Sequence, residues 1–198
     1  MSTTSRTLRV VTRGSELART QTQQVVDALS RQYPHIVFAV DTVKTTGDRV
    51  TDRPLADFRG TGVFVKELES AVLSGKADMA VHSLKDMPAQ IADGLMLAAF
   101  PRREAANDVL LTRNGETVNT LAHGACVGTG SPRRVAQLKA RRPDLLFSGI
   151  RGNLDTRIRK IERGEYDAAV VAAAGLIRTG RCVPESARLP LDVCVPAI

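Results

Sequence analysis

Short apolar runs alternate with stretches of helical spacing along most of the chain. Leu8 to Thr12 reads as a buried strand. Ser15 then opens a helix to about Gln32, with Leu17, Gln21, Val25 and Ala28-Leu29 along one face. Ile36 to Val43 is the next strand, followed by a long Gly-, Pro- and Asp-rich loop from Thr45 to Gly62. Loops of that length usually carry function or move. Val63 to Leu73 reads as a short helix closed by Gly75, a residue suited to a left-handed cap. Met79 to Val81 and Leu95 to Phe100 read as two more strands.

The charged, Pro-led stretch Pro101-Arg102-Arg103-Glu104 breaks this rhythm and is a candidate hinge. Beyond it the pattern starts again. Strands are expected at Val109 to Thr112, Cys126 to Thr129, Leu145 to Ser148 and Ala168 to Ala172. Helices are expected at Ser131 to Arg142 and Asn153 to Arg163, the second capped by Gly164. Strand–helix alternation of this kind indicates an α/β protein with largely parallel sheets. The expected architecture is two tandem, doubly wound α/β lobes, 1–100 and 101–194, with a cleft between them. Ligands of such sheets bind beyond the carboxyl ends of strands, where helix N-termini point.

With 198 residues, 43% of them hydrophobic and 25% charged, the chain can bury a core without disulfide or metal staples. The longest apolar run, Ala168 to Ile177, is about half a membrane span, and no apolar leader follows Met1. A cytoplasmic protein with no membrane partner is therefore expected. Cys126, Cys182 and Cys194 are far apart and form no CxxC pair, as in a reducing compartment, and His35, His82 and His123 are equally scattered. No metal site is expected from these spacings.

Charge changes the picture more. The net charge is +7, with 12 basic and 11 acidic side chains in residues 1–100 against 16 and 10 in residues 101–198. Nine basic residues fall between 133 and 160, facing only Asp144 and Asp155. Such a stripe attracts polyanions or a polycarboxylate. Of the 28 cations 22 are Arg, whose planar fork suits carboxylate and phosphate. Outward pairs such as Arg141-Arg142 read as a solvated helical face. Aromatics are only 4% with no Trp, which leaves no stacking platform for single-stranded nucleic acid. Nucleic acid is not an expected partner.

Three loops that follow strands share one logic: Arg13-Gly14-Ser15, Gly128 to Arg134, and Gly149-Ile150-Arg151-Gly152-Asn153. Each offers backbone N–H groups, a hydroxyl or amide, and an Arg at a positive helix end, which together make an anion site. Ser131 and Asn153 are also ordinary N-cap candidates, with Pro132 at the first helical position. Asp86 lies in His82-Ser83-Leu84-Lys85-Asp86-Met87-Pro88, just after an apolar strand. An ionised carboxylate there could stabilise positive charge in a substrate or relay protons, but spacing alone favours a helix cap or a pair with Lys85. His82 reads as a packing residue. The Gly patterns match neither GxGxxG in full nor GxxxxGK[ST].

Taken in order, Arg13-Gly14-Ser15, Lys44 to Asp48, Gly62 to Glu69, Ala80 to Pro88, Val127 to Arg134, Arg151-Gly152-Asn153 and Ala173 to Leu176 resemble the porphobilinogen deaminase (hydroxymethylbilane synthase) family. The resemblance runs from about Leu8 to Ile198. It implies two lobes like those of type II periplasmic binding proteins and a transferase of tetrapyrrole biosynthesis. That enzyme condenses four porphobilinogens into hydroxymethylbilane on a dipyrromethane cofactor. It implies Asp86 as the catalytic carboxylate, with Arg13, Arg133, Arg134, Arg151 and Arg157 on acetate and propionate groups. Ser15, Ser83, Lys85, Thr129 and Ser131 would hold the cofactor, Phe64 would pack near substrate, and Gly152 and Asn153 complete the second-lobe loop. Porphobilinogen and linear oligopyrroles would be the ligands.

The chain departs from the family at Gly14, Thr61 and Gly130, where other residues are common. Residues 195–198 correspond to the start of the family's return to the first lobe. The family's third domain, with the cysteine that holds dipyrromethane, has no counterpart here, and Cys126, Cys182 and Cys194 do not match that cysteine. The expectation is an active-site cleft without its covalent anchor, in a monomer whose apolar stretch Val193 to Ile198 could drive association. A non-catalytic anion-binding or sensing module on the same two lobes is the alternative.

Overall fold

Parallel strands need a crossover between them, and the first 43 residues supply one. Strand β1 (Arg6–Arg13) leads into helix α1 (Glu16–Gln32), which returns to β2 (Ile36–Val43) in register from Arg6↔Ile36 to Arg13↔Val43. The computed structural model describes residues 6–49 and 62–196, so Thr61 and most of the Thr45-to-Gly62 loop lie outside the described residues. The chain divides into two compact units, Met1–Arg102 and Arg103–Ile198.

In the first unit a one-turn helix, α2 (Thr46–Arg49), follows β2, and α3 (Lys66–Leu73) precedes a two-residue strand, β3 (Met79–Ala80). Gly75 has φ +70° just past α3, the left-handed conformation that favours glycine. The sheet order is β2-β1-β3, all parallel. The chain goes from β1 to one neighbour and then to the other, so the order reverses at β1 and opens a crevice beyond the carboxyl ends of β1 and β3. Its core is small: Val11, Leu68 and Ala77, with Val43, Ala71, Val72 and Ala80 packed around them.

Two sequence expectations are corrected in this unit. The buried stripe of α1 is Thr22 and Val26, one residue on from Gln21 and Val25, and Ala28 is exposed. Thr22 can be buried because its hydroxyl is satisfied, donating to Thr12 Oγ1 at 2.7 Å. Leu95 to Phe100 forms no strand, and Met96, Leu97 and Phe100 are exposed. An apolar run becomes a strand only with a neighbour to pair with, and none of the described residues pairs with it.

The second unit repeats the scheme. Strand β5 (Cys126–Gly128), α4 (Pro132–Arg141), β6 (Leu146–Ser148), α5 (Leu154–Glu162) and β7 (Ala168–Ala172) place β6 and β7 on opposite sides of β5, both parallel to it. Strand β4 (Asp108–Thr112) adds an antiparallel edge against β7, giving the order β4-β7-β5-β6, and α6 (Ala173–Arg178) follows β7 directly. The core is larger here, with Leu110, Val127, Leu138, Leu145, Val170 and Leu189 among its buried members. Strand β7 (Ala-Ala-Val-Val-Ala) is buried on both faces, as the unbroken apolar run foretold. In the expected apolar stretch at the end, Val193 packs on this core, Cys194 is buried and Val195 is exposed; Ala197 and Ile198 lie outside the described residues. Among the described residues no helix is long and apolar enough to cross a membrane, and no His, Cys, Asp or Glu cluster could hold a metal.

Candidate active site

The crevice of the first unit is built by the two segments that leave β1 and β3. Ser15 caps α1, its Oγ accepting from Ala18 N at 3.4 Å. Arg13, the last residue of β1, lays its guanidinium over the Phe64 ring, 4.0 Å from the centroid. Its Nε donates to Asp48 Oδ2 at 3.3 Å and its Nη2 to Asp48 Oδ1. Asp48 is itself held by Thr45, whose N and Oγ1 donate to Oδ2 at 3.2 and 2.7 Å. Burial acts to raise the Asp48 pKa, but the bonds from Arg13 and Thr45, with the Arg13 charge, bring it below the ordinary carboxylate value. Gly47 explains the ring's position, since a Cβ there would overlap Phe64.

After β3 the chain makes a single 3₁₀ turn, Leu84–Asp86. Ser83 ties this segment to α1, its Oγ donating to Gln21 Oε1 at 2.8 Å. Lys85 is exposed and Asp86 half-buried. The Asp86 carboxylate accepts no hydrogen bond and makes no ion pair among the described residues, so neither the cap nor the Lys85 pair is formed. Asp48, Asp78, Asp108, Asp144 and Asp155 are all paired with Arg. His82 lies in the field of both site groups. Burial lowers its pKa, the Asp86 charge acts in the opposite sense, and Arg13 adds to the lowering. Its Nε2 is buried without a hydrogen-bond partner. His82 thus feels the charges of both Asp86 and Arg13, closer to the site than a packing role implies.

In the second unit the loop after β5 is held from below. Thr129 is buried and donates its N to Ser148 O at 2.9 Å, while its Oγ1 accepts from Ser131 N at 3.2 Å. Ser131 stands at the N-cap of α4 but makes no side-chain cap bond, and a Cβ at Gly130 would meet nothing within 4 Å. The loop after β6 is fixed by Asn153, whose Oδ1 accepts from Thr156 N at 3.0 Å and Thr156 Oγ1 at 2.9 Å. Gly152 has φ +105°, and Arg157 Nε donates to Gly152 O at 3.0 Å. Arg151, in the same loop, is half-buried.

Arg133 and Arg134 are both turned to an internal anion. Their Nη2 atoms donate to the two oxygens of Asp108, each at 2.6 Å, and the Asp108 side chain is 4% exposed. Arg134, 11% exposed, also donates Nη1 to Val170 O at 2.8 Å. Arg133, 29% exposed, reaches Val195 O with Nη1 and lies 3.4 Å from Cys194 Sγ. The Cys194 thiol donates to Asp108 Oδ2 at 3.3 Å. Helix α4 has no acidic residue in its first turn, so Asp108 supplies from β4 the negative charge that two adjacent cations at a helix N-terminus need. Arg142 is not a solvated residue: it grips Asp144 with two bonds of 2.7 Å and donates to the carbonyls of Val118 and Leu121.

Sequence reading missed Asp48 and Asp108. Asp48 stood inside the Lys44-to-Asp48 motif without a role. Asp108 carried no local signal, because its partners are 25 and 26 residues away.

Residues 8–198 match the family model described as porphobilinogen deaminase, dipyrromethane cofactor binding domain. The chain is 50% identical over 197 residues to the porphobilinogen deaminase of Streptococcus sanguinis, covering 96% of this chain and 64% of that protein. It is 49% identical over 194 residues to the porphobilinogen deaminase of Geobacillus kaustophilus, covering 98% and 63%. The chain thus spans less than two thirds of the length of these relatives. A solved structure from Actinomyces odontolyticus, 16% identical with a TM-score of 0.53, covers 98% of this chain and 81% of its own, a likeness of fold alone. The match over nearly its whole length places this chain in the porphobilinogen deaminase family.

Proposed function

We propose that this chain is the part of a cytoplasmic porphobilinogen deaminase that binds porphobilinogen and the growing oligopyrrole. The full reaction joins four porphobilinogens head to tail, each losing ammonia, and one water supplies the hydroxyl of the hydroxymethylbilane that is released. The observation that carries the reading is Asp86: a carboxylate that has no ion-pair partner among the described residues, on the turn after β3, where its charge and that of Arg13 both act on His82. When the aminomethyl C–N bond of porphobilinogen breaks, ammonia leaves with the electron pair and a cationic methylene-pyrrole remains. Asp86 stabilises that cation. The α-carbon of the next pyrrole then forms the C–C bond and its proton leaves to a base. An aspartate already neutralised by an arginine could not serve in this way, and none of the described arginines pairs with Asp86.

The substrate's acetate and propionate groups need cationic, fork-shaped partners. We assign these to Arg13 in the first unit and to Arg151, Arg157 and the exposed side of Arg133 in the second. Arg134 acts through Asp108 and is a positioning residue in this reading. Phe64 offers a flat apolar surface to a pyrrole.

Dipyrromethane, when bound, supplies the pyrrole end on which the chain is built. Each unit offers donors suited to carboxylates of that kind: Lys85 on the turn after β3 in the first, and the Ser131 hydroxyl on the loop after β5 in the second, where a Cβ at Gly130 would meet nothing within 4 Å. No thioether is assigned to the cysteines in hand. Cys194 is buried against Asp108, and burial together with the Asp167 charge raises the Cys126 thiol pKa.

Calorimetric titration with porphobilinogen tests the reading. The protein is expected to bind it, and Arg151→Ala to weaken binding by about tenfold, or about 1.4 kcal/mol. Absence of binding to the unaltered protein would overturn the assignment.

A further inference from the structure

The polar side chains of the short turn Thr45–Asp48 are all hydrogen-bonded. Thr45 binds Asp48, Thr46 donates N and Oγ1 to Glu67 Oε1 at 2.7 and 2.6 Å, and Gly47 leaves room for the Phe64 ring. The result is a rigid seat for one side chain, Arg13.

A guanidinium has five N–H bonds in one plane. Asp48 takes the side edge formed by Nε and Nη2, and the Phe64 ring covers one face. The end edge, one N–H each from Nη1 and Nη2, makes no hydrogen bond among the described residues. A carboxylate fits that edge with two parallel bonds.

We propose that Asp48 is a positioning residue: it holds Arg13 side-on, so that the end edge of the guanidinium is presented, already oriented, to a substrate carboxylate. This rests on the polycarboxylate ligand class proposed above. Orientation and charge make opposite predictions here. Asp48 subtracts one charge from the site, so if charge alone governed affinity, Asp48→Asn would bind a carboxylate more tightly. If Asp48 acts by fixing the fork, Asp48→Asn releases Arg13, the ordering cost returns at binding, and affinity falls.

The test combines a ligand-free and a ligand-dependent readout on the full chain. In the ¹⁵N spectrum of the unaltered protein, the Arg13 Nε–H signal is expected to be resolved, slow to exchange and shifted by the Phe64 ring. Asp48→Asn is expected to abolish that protection and to raise the Kd for porphobilinogen about fivefold or more. Arg13→Lys, which keeps the charge and loses the fork, is expected to weaken binding as well. Should Asp48→Asn not fold, Thr45→Val removes only the 2.7 Å bond that holds Asp48, and a smaller change in the same direction is expected. Equal or tighter binding in Asp48→Asn, or an unchanged Nε–H signal, would overturn the proposal. A protected Nε–H signal with no porphobilinogen binding by the unaltered protein would overturn the ligand class, and with it any role for Asp48 toward substrate.

Discussion

Asp108 shows how one buried carboxylate organises a cationic loop. It is nearly inaccessible, it receives two charge-assisted bonds of 2.6 Å, and it accepts a thiol hydrogen bond. Removing it would leave two guanidiniums without their counter-ion, a loss that typically costs about 3–5 kcal/mol when a buried pair is broken. Asp108→Ala is therefore expected to lower the urea unfolding midpoint sharply, with Asp108→Asn intermediate. The pH dependence follows from sign. Burial pushes the Asp108 pKa up, but Arg134, Arg133 and Cys194 outweigh it, so the folded value lies below the unfolded one near ~3.9. The unfolded chain then binds more protons between the two values, and stability rises with pH in that window. The contribution is complete above pH ~4 and is lost as pH falls through the folded value. Asp48 adds a contribution of the same sign. Unfolding midpoints measured from pH 6 down to 2 should fall less steeply in Asp108→Asn than in the unaltered protein. Parallel curves would show that Asp108 does not titrate differently on folding.

At the scale of elements, caps and glycines fix where the loops point. Asn153 satisfies the first turn of α5 through Thr156, and Arg157 leans back onto Gly152 O. Asn153→Ala is expected to cost about 0.5–2 kcal/mol and to loosen the Arg151 loop with it. Gly47→Ala is expected to cost about 1–3 kcal/mol, because the added methyl overlaps Phe64 and must displace the ring. Chemical denaturation checks both, and a Gly47→Ala protein as stable as the original would contradict the seat described for Arg13. Much of this level was legible in the sequence. The bounds of β2 and the cap at Asn153 followed from periodicity and cap chemistry, which are local. Leu95 to Phe100 was misread because strand formation depends on a neighbour, and sequence pattern shows the apolar run but not the pairing. The stripe of α1 was misplaced by one residue because the hydroxyl that lets Thr22 be buried belongs to Thr12, on another element. The motifs brought Arg13, Ser15 and Asp86 to the ends of β1 and β3, yet the partners that orient Arg13, Arg133 and Arg134 lie far away in sequence and could not be read from spacing.

The whole molecule repeats one topology twice: a strand, a crossover to one neighbour, and a crossover to the other. Each repeat reverses its strand order at its first strand, and the candidate residues Arg13, Asp86, Thr129 and Ser131 lie on loops that follow strands or at strand ends. The two units are not equally built. Among the described residues the first has a three-residue buried cluster under its sheet, and β2 exposes Val37 and Val40. The second buries eleven residues in its main cluster. Amide hydrogen exchange is therefore expected to be slowest at Val127 and Val170 and faster by at least about tenfold in β2, since protection follows local burial. Uniform protection across both sheets would contradict that ranking.

The central claim is that Asp86 is the carboxylate that assists loss of ammonia. The most direct measurement is ammonia released from porphobilinogen by the purified protein, with Asp86→Asn alongside and porphobilinogen binding measured on both. Release by the unaltered protein is expected, with a fall of at least about 100-fold in Asp86→Asn and binding retained, as when transition-state stabilisation is removed and ground-state binding is not. Equal rates in the two proteins would contradict it.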